Sequence, residues 1–229
     1  MRLDKYVSQC TGLSRKSVKQ VLHQMRIAVD GEPVRNAGLG LSGEETVTLD
    51  GHLLTLPGAR YLMVHKPAGL VCATEDASQR TVLDLLPGTL ASGLQIVGRL
   101  DKDTTGLLLL TDDGQWNHRI TSPRRTCAKV YCVTTADPIA PSAIQAFRNG
   151  IVLKNEPKPT QPAELVIEGS HQARVTLTEG RYHQVKRMFA ALGNRVTALH
   201  RASVGRIQLD PELPEGHYRT LTEEEVNSV

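Results

Sequence analysis

The chain is poor in the residues that would tie it to an oxidising compartment or a membrane. Its four cysteines stand at positions 10, 72, 127 and 132 of 229 residues. None forms a C-x-x-C pair, and the spacing suits neither a zinc knuckle nor a disulfide framework. Reduced thiols in a cytoplasmic protein are the expectation. No apolar run approaches the roughly 20 residues that a membrane-spanning helix requires, and residues 1–5 lack the apolar core of a secretory leader. Aromatic residues make up only 3% of the chain, so each Tyr or Trp near a candidate site stands out. Excess charge is also small. A formal +3 permits a polyanionic partner without demanding one, and its distribution matters more than the sum.

What is present is an ordinary globular composition, 40% hydrophobic and 22% charged, long enough for one large domain or two modest ones. The positive charge is concentrated at the N-terminus. Residues 2–26 carry six Lys or Arg against the single acid Asp4, which leaves the remainder near neutral or slightly acidic. A short helix is predicted from about Leu3 to Cys10, with Leu3 and Val7 on one face. A second follows the N-cap candidate Ser14, with Val18, Val21, Leu22 and Met25 at helical spacing. Arg15, Lys16, Lys19, His23 and Arg26 lie off that stripe. Two short apolar runs around Asp30-Gly31 predict a hairpin. Val47 and Leu49 predict a last strand before Asp50-Gly51. The stretch 54–60, with Pro57-Gly58, reads as a linker, giving domains 1–56 and 60–229. Taken alone, the basic residues are equally well the solvated face of an amphipathic helix. The phrase "RLDKYVSQCTGLSRKSVKQVL…IAVDGEPV", two helices and a small sheet, resembles the S4 RNA-binding domain. That resemblance implies that Arg15, Lys16, Lys19 and Arg26 meet RNA.

From Tyr61 an apolar strand runs to Val64 and ends at Lys66-Pro67 and Gly69. The most informative stretch follows. Gly98-Arg99-Leu100-Asp101-Lys102-Asp103-Thr104-Thr105-Gly106 is a polar loop feeding the buried strand Leu107–Leu110, which closes in a turn at Asp112-Asp113-Gly114. A loop pinned to a core strand can hold a catalytic group both exposed and rigid. Asp101 and Asp103 can cap a turn, the commonest task for Asp before Thr-Thr-Gly. They can form a glycosidase-like carboxylate pair, against which stands the lack of aromatic stacking residues nearby. Or one of them is the catalytic carboxylate of another reaction.

Two later segments carry further candidates. The basic Arg124-Arg125 leads into Lys129-Val130-Tyr131-Cys132-Val133, where alternation puts Lys129, Tyr131 and Val133 on one strand face. Packing in the core is the more frequent fate of such a tyrosine. In the stretch 179–193, Val185, Met188, Phe189 and Leu192 form a helical stripe that Gly193 can stop. Lys186 lies beside the stripe near the helix N-terminus, where a cation opposes the helix dipole, a mismatch that points to an anionic partner. His183 leads onto the same side. His183 and His200 stand 17 positions apart without a Cys or carboxylate at ligand spacing, so no metal site is expected.

The segment "GRLDKDTTGLLLLTDDG" resembles the central motif of the RsuA family of ribosomal RNA pseudouridine synthases, and the resemblance continues to "YRTLTEEE" near the end. It implies an α+β catalytic domain with a mostly antiparallel mixed sheet and a central active-site cleft. It also implies isomerisation of one uridine of small-subunit ribosomal RNA. By the same resemblance Asp101 is the nucleophile, attacking either the sugar or the uracil ring, and Tyr131 stacks on the flipped uracil. Lys186 holds Asp101 in place and charged, with Arg187 as the alternative. Arg99 fills the vacated space or grips phosphates, and Arg124, Arg125 and Arg187 add RNA contacts. The reaction involves no redox or group-transfer step, so neither cofactor nor metal is expected. The partner is ribosomal RNA or an assembly intermediate with ribosomal proteins, met by a cytoplasmic monomer. A non-catalytic RNA-binding factor with the same fold is the competing reading; the presence of Asp101, Tyr131 and Lys186 together speaks against it.

Overall fold

A computed structural model describes residues 1–122 and 126–229. Arg124 and Arg125, expected to touch RNA, therefore lie outside the described residues. The chain divides into two compact units, Met1–Gly58 and Ala59–Val229.

The first unit begins with α1 (Leu3–Thr11) and α2 (Arg15–His23). Ser14 caps α2 by accepting from the Ser17 amide at 3.1 Å. Val18, Val21 and Leu22 turn inward onto Leu3 and Val7, together with Ile27, Val29 and Val47. Met25 does not continue the stripe: α2 ends at His23, Met25 takes a left-handed φ of 59°, and its side chain is exposed. A sheet of order β2-β1-β3-β4 follows, from β1 (Ile27–Val29), β2 (Glu32–Pro33), β3 (Val47–Leu49) and β4 (His52–Leu53). Both Asp-Gly turns are hairpins with positive φ at Asp and Gly, the primed geometry that two-residue loops favour. Val47–Leu49 is accordingly not the last strand; β4 pairs back on it.

The second unit is built on β5 (Tyr61–Lys66), α3 (Gly88–Ala91), β6 (Gln95–Val97), β7 (Thr105–Thr111) and α4 (Gly114–Thr121). It continues with β8 (Lys129–Thr135), α5 (Ser142–Asn149), β9 (Glu164–Gly169), β10 (Gln172–Leu177) and α6 (Gln184–Ala191). The last elements are β11 (Val196–Val204), β12 (Ile207–Gln208), β13 (Tyr218–Thr220) and α7 (Glu223–Asn227). The sheet order is β13-β5-β7-β11-β8-β10-β9, with β6 on β7 and β12 on β11. Of these pairings β7–β11 is parallel and the others antiparallel, so the sheet is mixed and mostly antiparallel.

Alternation along β7 separates two core clusters: Leu108 and Leu110 join Leu62, Val64 and Leu100, while Leu107 and Leu109 join Met63 and Trp116. α5 and α6 close a third cluster through Phe147, Val185, Met188 and Phe189. Leu192 is not part of that stripe; it lies past the end of α6 and is exposed. Asp113 does not merely turn the chain. It caps α4, accepting from the Gln115 and Trp116 amides at 2.8 and 3.1 Å. Strand β5 does not stop before Lys66 but includes it, fully buried. No helix among the described residues is long and apolar enough to cross a membrane.

Candidate active site

The loop carrying Asp101 joins β6 to β7 and is held at both ends by buried cations. Gly98 and Gly106, its flanking glycines, have φ of 71° and 105°. Arg201 on β11, 1% exposed, donates through Nε to the Leu107 carbonyl at 2.8 Å and through Nη2 to the Gly98 carbonyl at 2.9 Å. Lys66 donates through Nζ to the carbonyls of Pro67, Lys102 and Thr104 at 2.9, 3.2 and 2.8 Å. Burial pushes the Lys66 ammonium below the usual lysine range. Neither cation has a carboxylate within ion-pair distance among the described residues. Their donors are spent on backbone carbonyls, which fixes the path of the loop. The Thr104 hydroxyl, buried in the same loop, is the one buried side-chain polar atom without a partner among the described residues.

Lys186 reaches the loop from the first turn of α6. Its Nζ donates to Asp101 Oδ2 at 3.0 Å and to Asp103 Oδ1 at 2.5 Å. Burial works against the Lys186 charge, but hydrogen bonds and attraction from Asp103 and Asp101 outweigh it and raise the ammonium above its ordinary value. The Lys186 hydrogen bond in turn holds Asp103 below the usual carboxylate range. The cation that opposes the helix dipole is thus compensated by two carboxylates. His183, the residue before α6, places Nε2 3.5 Å from Asp101 Oδ1. Lys186 and His183 therefore meet opposite oxygens of one carboxylate.

Tyr131 occupies β8, where the register aligns it with Arg201 on β11, itself opposite Gly106 on β7. Its half-buried ring packs against two core clusters, one containing Leu100 and the other Val185, residues that adjoin Asp101 and Lys186 in sequence. In the next row His200 Nδ1 lies 2.8 Å from the Thr105 hydroxyl, and its ring meets His65 edge-on at 5.6 Å. Burial, with His65 beside it, pushes His200 below the usual imidazole value. Asp103, Thr105, Cys132 and His200 border a hollow of about 380 Å³. A hollow of about 690 Å³, lined by Thr74, Asp84 and Leu94 among others, contains none of these groups and no cation.

The other expected residues divide. Arg99 is exposed and makes no hydrogen bond or ion pair among the described residues, so its guanidinium is open to solvent. Arg15, Lys16 and Lys19 are exposed on α2. Arg26 instead forms a two-pronged pair with Asp50, at 2.9 and 2.6 Å, so its charge is already matched. Arg187 is held by Glu156 and by the carbonyls of Lys154 and Tyr182, which removes it as an alternative partner of Asp101. Sequence reasoning missed Lys66, Arg201 and the contact of His183. Only His183 left a signal, its position at the start of a helix that presents Lys186.

Chemically, the site offers a carboxylate on a rigid loop, flanked by an ammonium and an imidazole, near a half-buried tyrosine. Comparison with known proteins agrees with that chemistry. Residues 60–191 match the family described as RNA pseudouridylate synthase. Ribosomal small subunit pseudouridine synthase A of Escherichia coli K12 is 51% identical over 230 aligned residues covering 100% of both chains. The Yersinia pestis protein of the same name is 50% identical, covering 100% of this chain and 98% of its own. A solved structure described as a pseudouridylate synthase superposes with a TM-score of 0.74 at 44% identity, covering 100% of this chain and 99% of the other.

Proposed function

The chain belongs to the RNA pseudouridylate synthase family, and from that premise we propose that it converts one uridine of small-subunit ribosomal RNA to pseudouridine with Asp101 as nucleophile. The observation that carries the assignment of the nucleophile is the double clasp on Asp101, by Lys186 at 3.0 Å and His183 at 3.5 Å. A carboxylate so held is fixed in direction before substrate arrives, which is what an attacking group requires. Full-length similarity to enzymes named for the small subunit supports the choice of RNA.

In the isomerisation the bond between uracil N1 and the sugar C1′ breaks and a bond from C5 to C1′ forms. The C5 proton leaves and N1 gains one, so atoms and electrons balance without an oxidant or group donor. The target base must leave its stack to meet Asp101, at a cost of a few kcal/mol. Tyr131 is suited to receive the flipped ring on its face, and the open guanidinium of Arg99 to hold the vacated space or a phosphate. Lys186 orients the Asp101 carboxylate for attack, and the bond that Asp101 forms to the sugar or the ring breaks again as C5 joins C1′, which returns the free carboxylate. In residues 1–56 the exposed Arg15, Lys16 and Lys19 on α2 support reading this unit as an S4-like RNA-binding module, ahead of a catalytic domain over 60–229. Arg124 and Arg125 complete the set of RNA contacts in this reading, while Arg187, like Arg26, already has its charge matched by an acid. The enzyme acts as a monomer in the bacterial cytoplasm, where ribosomal RNA and its assembly intermediates are found.

The test is carbodiimide mapping of pseudouridine in ribosomal RNA from cells with and without the gene. The expected result is loss of one small-subunit signal, restored by wild type and not by Asp101→Ala. An unchanged map would instead favour a non-catalytic RNA-binding factor.

A further inference from the structure

Aromatic side chains are few here, and all but one are at least half-buried. The exception is Tyr182, 76% exposed and one residue before the histidine that touches Asp101. Its ring lies on the ring of His183, centroids 3.8 Å apart and planes 19° from parallel. Neighbouring side chains along an extended chain point to opposite sides. Here they face each other because His183 adopts left-handed backbone, φ 48° and ψ 36°, a conformation disfavoured for a residue with a Cβ. A non-glycine residue held in this region is strained, and such strain clusters at functional sites.

The segment is braced on both sides, so the exposed ring is not the tip of a floppy loop. Arg181 is tied to Glu156 and Glu179 and to the carbonyls of Lys158 and Pro159. Its amide donates to Gln184 Oε1 at 2.8 Å. Arg187 donates to the Tyr182 carbonyl at 3.2 Å. The result is a preformed aromatic surface with one ring face covered by His183 and the ring otherwise in solvent. Proteins that bind unpaired RNA use aromatic faces in this way, since every base has a stacking face and a rigid ring loses little freedom on binding.

The geometry points to a second RNA contact of the active site: Tyr182, backed by His183, is a stacking platform for an unpaired base flanking the uridine that enters the Asp101 pocket. This rests on the reading of the chain as an RNA-modifying enzyme. Tyr182 is thus a substrate-positioning residue, and its ring rather than its hydroxyl is the working part.

The experiment measures equilibrium binding and turnover of a full-length small-subunit ribosomal RNA transcript by wild type, Tyr182→Ala and Tyr182→Phe. Tyr182→Ala is expected to weaken binding and raise KM by roughly 5- to 150-fold, the range for loss of one base–aromatic stack. Its kcat should stay within a few-fold of wild type. Tyr182→Phe should restore both constants, and neither change should move the thermal midpoint of an already exposed ring. Wild-type affinity in Tyr182→Ala, or an equal loss in Tyr182→Phe, overturns the platform. If wild type binds the transcript but does not convert it, the reaction assigned above fails, and the platform still stands or falls on the two affinities. If wild type does not bind the transcript, both readings fall.

Discussion

Gly106 and Arg201 meet backbone to backbone: a Cβ on Gly106 would lie 2.4 Å from the Arg201 carbonyl oxygen and 2.7 Å from its nitrogen. They are partners across the parallel β7–β11 pair, at the point where the Asp101 loop enters the sheet. Neither atom is the end of a flexible side chain, so an added methyl can be relieved only by parting the strands. The φ of 105° at Gly106 adds backbone strain for any other residue. Gly106→Ala should therefore destabilise the fold by about 3 kcal/mol or more and displace the loop enough to abolish turnover. Urea unfolding and a turnover assay on the same preparation check both effects. Wild-type stability would show that the strands can part freely.

Asp101 and Asp103 share one cation yet should respond oppositely to amide substitution. Asp103 has a 74% exposed side chain, so its pairing with Lys186 is worth under about 1 kcal/mol after solvent screening. Asp103→Asn should retain kcat within a few-fold, whereas Asp101→Asn should lose turnover while still binding RNA. Equal losses in both variants would mean the carboxylates act together as a pair.

The same pair sets a pH signature. The folded value of Asp103 lies below its ordinary 3.8, so its ionised form favours folding. That contribution is present above about pH 4 and is lost as pH falls through the depressed value. Lys186 is raised above 10.5, so its contribution is complete below 10.5 and is lost only as pH rises through the raised value. The stability gap between wild type and Asp103→Asn should accordingly be flat from pH 5 to 9 and close toward pH 3. A gap that widened on acidification would reverse the sign assigned to this pair.

Arg15, Lys16 and Lys19 are exposed along α2. If each neutralises one phosphate, changing all three to Gln should reduce the slope of log affinity against log salt by about 2–3. Arg26→Gln should change the slope less, because Asp50 already matches that charge. Filter binding across a salt series separates the two outcomes. An unchanged slope in the triple variant would remove α2 from the RNA interface.

How much of this was legible in the sequence depends on the range of the interaction. The loop at 98–106, the Asp30-Gly31 hairpin and the face of α6 follow local rules of turn chemistry and periodicity, and the structure contains them; Asp50-Gly51, expected to follow the last strand, instead turns the chain into β4. The same local rules failed where the chain leaves a helix sooner than periodicity suggests, at Met25 and Leu192. The pairing of Lys186 with Asp101 spans 85 positions, and only the family resemblance anticipated it. Lys66 was the hardest to see, because a lysine before a proline at a strand end reads as solvent-facing. Its burial is decided by three carbonyls, two of them more than 30 residues away. Arg201 is equally illegible, because its partners Gly98 and Leu107 are brought to it only when β7 and β11 pair.

Those two buried cations grip one loop, which makes their energies interdependent. Arg201→Lys keeps the charge but cannot reach both carbonyls in the fork geometry of a guanidinium. Lys66→Met leaves the carbonyls of Lys102 and Thr104 without their donor. Each change should cost about 2–4 kcal/mol, the range for stranding buried polar groups. Once either grip is released, the loop relaxes and the remaining grip has less to hold. The double variant should then lose less than the two single losses combined, by roughly 0.5–3 kcal/mol, as expected for contacts sharing one element. A double-mutant cycle in urea measures this directly. Strict additivity would mean that the grip of Arg201 on the loop's flanks and the grip of Lys66 on its interior act independently, and Asp101 would then owe its orientation to Lys186 and His183 rather than to the loop.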